Sequence, residues 1–577
     1  MNRRIEIEWV PDADPTNRHA RARALDRISW PVNLVPAGVD YVSHGHALLL
    51  GNERDVRRAA RALVASSQLA SLTLLFTEPL DESSDDADAA LLDATGHLAS
   101  HALTAAQAGT LRLDGYLGRF AVSVERNGER LDLARALADR EHVDCVLDLG
   151  ERPVLTLELP PPGYLATRRD DPDHAARLEA FGALVGEFDK PRYFQVDAAR
   201  CAHSANGNPG CTRCLEVCPA DAIASRQGRI DAWIEIDPFR CHGVGSCSSA
   251  CPTGAIQFRL PATPRQQETL VDWLAAYRQA GGSTPVVRFA TAPYLEEERL
   301  GRDDEPAGHV LDVPLEELGA AGHDQWLTAL AAGAAEVRLQ YHAEMPPRLV
   351  DFLASELVIA RALLAALGHD PERIQPLAPS DSEGRDALPR HGVLTAEPLA
   401  FDSDDKRARL DQVFERLSVL GEPSGERHAL PRGAAYGGLA VDTAACTLCL
   451  ACVASCPTPA LAAGGDSPQL SFREADCVQC GLCAESCPED AIRLVPGFLA
   501  AATRRERRVC HEEAPFECIR CGKPFATAST VAAIKAKLAD HPAFAGAAVT
   551  RLEMCEDCRV RDIWETMARD PEAQLRV

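Results

Sequence analysis

The sequence predicts a multidomain chain of α/β and α+β units, and three observations carry that prediction. Its 577 residues, 46% of them hydrophobic, are enough for several cores at the usual size of about 100 to 200 residues per domain. Two long stretches alternate short apolar runs with amphipathic helical ones, the pattern of a doubly wound sheet. All of its 21 cysteines except Cys145 fall into three groups, Cys201 to Cys251, Cys446 to Cys487 and Cys510 to Cys558.

Residues 1–195 read as the first α/β domain. HALLLG, SLTLLF, RFAVSV, CVLDLG and VLTLEL have the length and apolarity of buried strands, and ERDVRRAARALVASS and ERLDLARALAD carry helical spacing between them. PPPGYL at Pro160 closes the domain, and a helix through EAFGALVGEF leads into the next module. Cys145, within HVDCVLDLG, reads as a small buried hydrophobe.

Residues 196–262 and 438–499 share a repeat: CPADAI at Cys218, CPTGAI at Cys251, CPTPAL at Cys456 and CPEDAI at Cys487. Its occurrence as two pairs says that one supersecondary unit was used four times. In the later pair, CTLCLACVASCP and CVQCGLCAESCP both hold complete C-x2-C-x2-C-x3-C-P spacing. Thiolates on such a tight loop wrap three corners of an iron–sulfur cubane, while the fourth cysteine, turned away by its proline, reaches the other cluster. Cys446, Cys449, Cys452 and Cys487 then hold one 4Fe-4S cluster, and Cys477, Cys480, Cys483 and Cys456 the other. This module resembles the bacterial two-cluster ferredoxins. Two structural zinc sites are the competing reading, but four-cysteine zinc sites pair C-x2-C knuckles rather than runs of four.

The module at 196–262 follows the same plan with two edits. CAHSANGNPGCTRCLEVCP displaces the leading cysteine to Cys201, ahead of a Gly/Asn/Pro-rich insertion, and keeps Cys211, Cys214 and Cys218 in place. Cys201, Cys211, Cys214 and Cys251 complete one 4Fe-4S set. CHGVGSCSSACP leaves the other with Cys218, Cys241 and Cys247, because Val244 stands where a cysteine belongs. Three thiolates suit a 3Fe-4S cluster, and the second cysteine is the one absent from the seven-iron ferredoxins that this module resembles. A 4Fe-4S cluster closed by water or an imidazole, and an empty site, are the alternatives. His203 and His242 are near in sequence and read as groups that hydrogen-bond around a cluster rather than ligate it.

Residues 263–395 read as a second α/β domain. TPVVRFATA, GHVLDVPL and AEVRLQY are its strands, with helices in HDQWLTALAAGA and RLVDFLASELVIARALLAALG. ALLAALGHDPERIQPLAPSDSEG resembles the delta subunits of methyl-viologen-type hydrogenases that hand electrons to heterodisulfide reductases. That family's cluster cysteines are missing here, which implies a docking or scaffolding role. Residues 396–437 read as a helical linker, with GAAYGGL at Gly433 as connecting chain.

Residues 500–577 carry CIRCGKPF and MCEDCR, whose knuckles Cys518, Cys521, Cys555 and Cys558 predict a zinc-ribbon-like domain with one structural zinc. The glycine after Cys521 permits the knuckle turn. Another iron–sulfur cluster and a metal-free motif compete with that reading. TASTVAAIKAKLADHP predicts a helix beside the site through Val531, Ile534 and Leu538. Cys510 and His511 read as a free thiol and a surface histidine.

A formal charge of -25 and a pI near 5.1 argue against nucleic-acid or anionic-membrane binding. After Arg3 and Arg4 the N-terminus continues IEIEWVPDAD, which is no export signal, and no run reaches the roughly 18 apolar residues of a membrane span. The expectation is a cytoplasmic protein whose clustered cysteines bind metal rather than form disulfides. No nucleotide, flavin or hydrolytic motif is found, so no small-molecule substrate is evident. The order of parts, with PPPGY and KPRYF before the displaced-cysteine module, resembles the large cytoplasmic iron–sulfur proteins encoded beside bacterial formate dehydrogenases. That resemblance implies redox protein partners, formate dehydrogenase subunits among them, and an electron-transfer role. An assembly factor or sensor for that enzyme, and a subunit of a larger oxidoreductase, are the rival functions.

Overall fold

A computed structural model describes residues 14–31, 38–80, 86–204, 207, 209–259, 262–301, 305–465, 467–539, 541, 544 and 546–569. The segment carrying Arg3 and Arg4 lies outside the described residues, as do Ala205, Asn206 and Asn208 of the insertion after Cys201.

The first α/β unit is built on a parallel sheet of β1 (His46–Asn52), β2 (Ser71–Glu78), β3 (Ala99–Ala102), β4 (Cys145–Leu149) and β5 (Tyr164–Ala166). The order is β3-β2-β1-β4-β5, so the chain winds one way from β1 and then crosses back. β4 is buried along its whole length, as a parallel strand covered on both faces must be, and Cys145 is fully buried within it. The helix Glu53–Ser66 starts where the Asn52 side chain accepts from the Arg54 N–H at 3.0 Å, and lays Val56, Ala59, Ala60 and Leu63 against the sheet.

Four expectations for this unit need correction. RFAVSV forms the strand Ala121–Arg126, but in a separate antiparallel sheet between Arg112–Asp114 and Glu129–Asp132. VLTLEL forms no strand, because side chains take the N–H groups a ladder would use: Val154 N donates to Asp148 at 2.7 Å and Leu155 N to the Tyr164 hydroxyl at 3.2 Å. PPPGYL leads into the edge strand β5 instead of closing the domain. The helix expected through EAFGALVGEF ends at Gly182, and the residues beyond form the strand Gly186–Lys190 paired with Val39–Ser43.

The second α/β unit has a parallel sheet of β6 (Val286–Thr291), β7 (Val310–Leu315), β8 (Glu336–Gln340) and β9 (Ile374–Leu377), in the order β7-β6-β8-β9. It too is doubly wound, and β9 is an edge strand that the apolar pattern did not reveal. Two segments expected elsewhere join its core. The helix Asp14–Leu25, expected within 1–195, buries Ala20 and Ala24 here. The Asn17 side chain accepts from Ser283 N at 2.9 Å, and Arg21 donates to the carbonyls of Pro306 and Ala307. The expected linker at 396–437 forms the helix Lys406–Leu420, whose Leu410, Val413, Phe414 and Leu417 are core residues.

Each cysteine-rich module closes on itself. In the first, Phe194–Val196 pairs antiparallel with Ile256–Phe258, and Ile223–Gln227 with Ala232–Ile236. In the second, Gly437–Val441 pairs with Ile492–Pro496, and Leu461–Gly464 with Ser467–Phe472. Arg508–Glu512 extends the last hairpin, so this part of the expected C-terminal domain belongs to the second module's sheet. Beyond it come a hairpin of Pro515–Glu517 and Pro524–Thr527 and the helices Ala528–Lys537 and Glu556–Arg569. Among the described residues no helix is long and apolar enough to cross a membrane.

Candidate metal centres

Short helices inside each module, Arg213–Glu216 and Ser246–Ala250 in the first and Ala451–Ser455 and Leu482–Glu485 in the second, carry the cysteines inward from loops too tight for ordinary backbone. The thiols gather in four groups. Burial pushes Cys214 up to about 12, and the charges of Cys251, Cys211 and Cys201 add to that. Cys247, fully enclosed, is raised well above its ordinary value by burial and then by Cys241 and Cys218. Cys452 is pushed up to about 12 by burial, then by Cys446, Cys449 and Cys487. Cys483 is likewise pushed up to about 12, by burial and then by Cys477, Cys480 and Cys456. Each grouping brings in the proline-linked cysteine of the opposite loop. Buried thiols that repel one another as anions make a poor structural core, and a cationic metal centre reverses that balance.

The loop backbones repeat as well. Leu448 and Leu450 have φ of 53° and 60°, and Gln479 and Gly481 have 52° and 89°. Gly243 and Gly245, with 79° and 89°, hold the same places in the loop of Val244. Side chains other than glycine rarely adopt this left-handed region, so its occurrence at Leu448, Leu450 and Gln479 marks a required geometry. What it achieves is visible at the first cysteine of each loop, whose sulfur accepts from the N–H two residues on: Gly243 for Cys241, Leu448 for Cys446 and Gln479 for Cys477.

Residues 209–255 match the family model of a 4Fe-4S dicluster domain, and residues 445–492 match another described the same way. The chain carries two 4Fe-4S dicluster ferredoxin domains. No curated protein matches it. Domains of this kind support a role in iron–sulfur electron transfer.

The first dicluster domain's match begins after Cys201, whose thiol nonetheless stands beside Cys214. Its other centre is a pocket lined by Cys218, Cys241, Val244 and Cys247, with Ile223 and Ile236 as apolar wall. Of the two nearby histidines, His203 has both ring nitrogens engaged, and His242, which lines the pocket, has one. His203 spends its nitrogens on the Cys211 carbonyl at 3.1 Å and the Ser225 hydroxyl at 2.8 Å. His242 Nε2 donates to the Pro160 carbonyl at 3.0 Å, and burial first and Lys190 second hold the imidazole below its ordinary value.

Several side chains beside these thiols escaped the cysteine pattern. Arg213 Nη1 lies 3.6 Å from Cys211 Sγ, and Gln479 Nε2 lies 3.2 Å from Cys477 Sγ. Thr253 and Thr458 sit 3.7 Å from Cys251 and Cys456, a symmetry already readable in the two CPT repeats. Lys190 donates to the carbonyls of Phe239 and Cys241, and burial lowers its ammonium to about 8.

The third group of cysteines is separate. The sulfurs of Cys518, Cys521, Cys555 and Cys558 all lie within 4.8 Å of one another, with Cys521 and Cys555 at 3.6 Å. A tetrahedral ion with bonds of about 2.3 Å to sulfur needs sulfurs about 3.8 Å apart, so the donors fit zinc. Burial works to raise Cys518, but the N–H groups of Cys555, Arg520 and Cys521 outweigh it and hold the thiol down at about 6. The expected helix stands beside the site, capped by the Thr527 side chain, with Val531 buried and Ile534 exposed. Cys510 is half-buried against the second dicluster domain. His511, expected at the surface, has only 11% of its side chain exposed and bonds to Glu513 at 3.2 Å.

Proposed function

We propose that the protein is a one-electron carrier with four clusters. Its ligand sets are Cys201, Cys211, Cys214 and Cys251; Cys218, Cys241 and Cys247; Cys446, Cys449, Cys452 and Cys487; and Cys456, Cys477, Cys480 and Cys483. The observation that carries this reading is the fourfold grouping of thiols, each completed by a cysteine from the opposite loop. Three sets take 4Fe-4S clusters, and the set facing Val244 takes a 3Fe-4S cluster. Cys518, Cys521, Cys555 and Cys558 hold structural zinc.

The two α/β domains act as scaffold and docking platform, and the protein works in the cytoplasm. Its partner, by the order of its parts, is a formate dehydrogenase. Anaerobic purification with iron, sulfide and zinc analysis tests the cofactors. About fifteen iron per chain, the sum of three four-iron clusters and one three-iron cluster, is expected with one zinc. Reduction of the clusters by formate through the dehydrogenase, and by no other route, tests the partner.

A sensing role for the Val244 centre is the second reading, favoured by the burial of Val244 among residues of the second α/β domain. Clusters dispensable for electron transfer yet required for maturation of the enzyme support that role instead.

A further inference from the structure

The position that would bear the second cysteine of each loop is occupied by Cys211, Val244, Cys449 and Cys480. Cys211 and the loop of Cys480 lie on the two sides of one junction between the dicluster domains. Arg213 spans that junction, with Nη1 3.6 Å from Cys211 Sγ and 3.0 Å from the carbonyl of Val478, inside the Cys477–Cys480 loop. Next to Cys211, Gly210 is so close to Leu482 that an added Cβ would stand 2.9 Å from its Cδ1.

The helix Lys406–Leu420 fixes the junction from a second side. Lys406 Nζ binds the carbonyls of Ser248 and Ser249, just ahead of Cys251, and Arg407 binds those of Ala475 and Cys477. The remaining corners differ in their surroundings. Cys449 is exposed to solvent. Val244 is 8% exposed and packs with the second α/β domain. There Gly245 and Gly319 leave no room for a side chain, since a Cβ on Gly245 would lie 2.4 Å from Ala320 N and one on Gly319 2.6 Å from the Val244 carbonyl.

We propose that the two dicluster domains form one continuous conduit, joined at Arg213, with an open end at Cys449 and a closed end at Val244. This rests on the carrier reading and adds its direction. A redox protein or dye delivers one electron at the Cys449 end. Each hop then oxidises one cluster by one electron and reduces the next, in the order Cys449, Cys480, Cys211, Val244. The cluster beside Val244 is reached only through the chain, and Arg213 is a positioning residue for the central hop.

Stopped-flow mixing of the intact holoprotein with reduced methyl viologen, read by freeze-quench EPR, tests this. Signals of the first dicluster domain are assigned by their response to Val244→Cys. The expected result is a second-domain phase proportional to dye concentration, followed by a first-domain phase independent of both dye and protein concentration. Arg213→Ala, at unchanged iron content, slows the later phase several-fold and leaves the earlier one alone. A first-domain phase that rises with dye concentration overturns the closed end, and one that rises with protein concentration overturns the conduit. A later phase untouched by Arg213→Ala overturns the role of that residue. Clusters that form but take no electron from any reductant overturn the carrier reading itself.

Discussion

Val244 and Cys480 stand at equivalent positions in loops of the same backbone, each between two residues in the left-handed region: Gly243 and Gly245 around the valine, Gln479 and Gly481 around the cysteine. The valine loop has therefore kept the geometry of a cluster loop while losing one ligand. Its first cysteine still accepts the N–H of the residue two positions on. Both positive φ angles fall on glycines, which adopt them without strain, and the loop leaves Cys218, Cys241 and Cys247 lining one pocket with Val244.

Val244→Cys should then restore a fourth thiolate without rebuilding the loop. The exchange removes little volume from a site that is 8% exposed, so the stability change should stay below about 1.5 kcal/mol. Iron per chain should rise by one, with loss of the oxidised three-iron EPR signal. Unchanged iron and spectra would show that the corner was already filled or the centre never built.

His323 joins a buried chain of three groups where the second α/β domain meets both dicluster domains. Its Nδ1 lies 2.5 Å from Glu356 Oε2 and its Nε2 2.5 Å from the Tyr436 hydroxyl. Burial works to raise Glu356, but His323 and then Lys406 outweigh it and hold the carboxyl below its ordinary value. A folded value below the unfolded one means that the carboxylate contributes stability above the unfolded value of about 4.3, and that this is lost as pH falls through the folded value. Glu356→Ala should cost about 1 to 3 kcal/mol by leaving the buried His323 Nδ1 without its partner. Anaerobic denaturation at neutral and acid pH should show Glu356→Gln with a weaker acid dependence than the unsubstituted protein. Equal dependence in the two would assign the acid lability elsewhere.

The cysteine spacing made the dicluster domains legible, because cluster geometry dictates both residue type and interval over a short stretch of chain. The parallel strands of the α/β domains were legible for a similar reason, since burial on both faces leaves near-continuous apolar runs such as Ala47–Gly51 in β1. What lay hidden depends on contacts between distant segments. GAAYGGL reads as connecting chain, yet Tyr436 is a buried partner of His323 and Gly437–Val441 is a strand. VLTLEL has the apolar content of a strand, but Asp148 and Tyr164 take its N–H groups. Arg213 resembles any charged loop residue until the second dicluster domain is set against it.

The helix Asp14–Leu25 illustrates the same limit and gives a third prediction. It precedes the first α/β domain in sequence but lies on the helix Thr263–Gln279 of the second, with Asn17 only 4% exposed. Asn17→Ala removes the acceptor of Ser283 N and leaves that donor unpaired in a partly buried place. The expected cost is about 1 to 3 kcal/mol. Hydrogen exchange should show the loss as faster exchange in Thr263–Gln279 and the loop after it, with the sheet of β1 to β5 unchanged. Protection lost from that sheet instead would mean that the helix supports the domain it precedes.

The four-cysteine site at the C-terminus touches the rest of the molecule through few groups. The hydroxyl of Thr527 donates to the Thr447 carbonyl at 3.2 Å, Thr530 donates to the same oxygen, and Lys537 pairs with Glu489 at 2.6 Å. All three contacts fall on the half of the second dicluster domain that contains Cys449. The local core around Cys518, Cys555 and Cys558 is small, with Met554 and Phe525 as its main apolar neighbours. A core of that size would depend for its folding on a metal held by the four thiols. Cys555→Ser should therefore abolish zinc binding and unfold the segment from Pro515 to Arg569, while leaving iron content unchanged. Limited proteolysis should cut within that segment in the variant and spare it in the unsubstituted protein. If zinc is lost and the segment stays protected, the hairpin and helices hold without metal; if iron is lost as well, the four thiols serve an iron–sulfur centre.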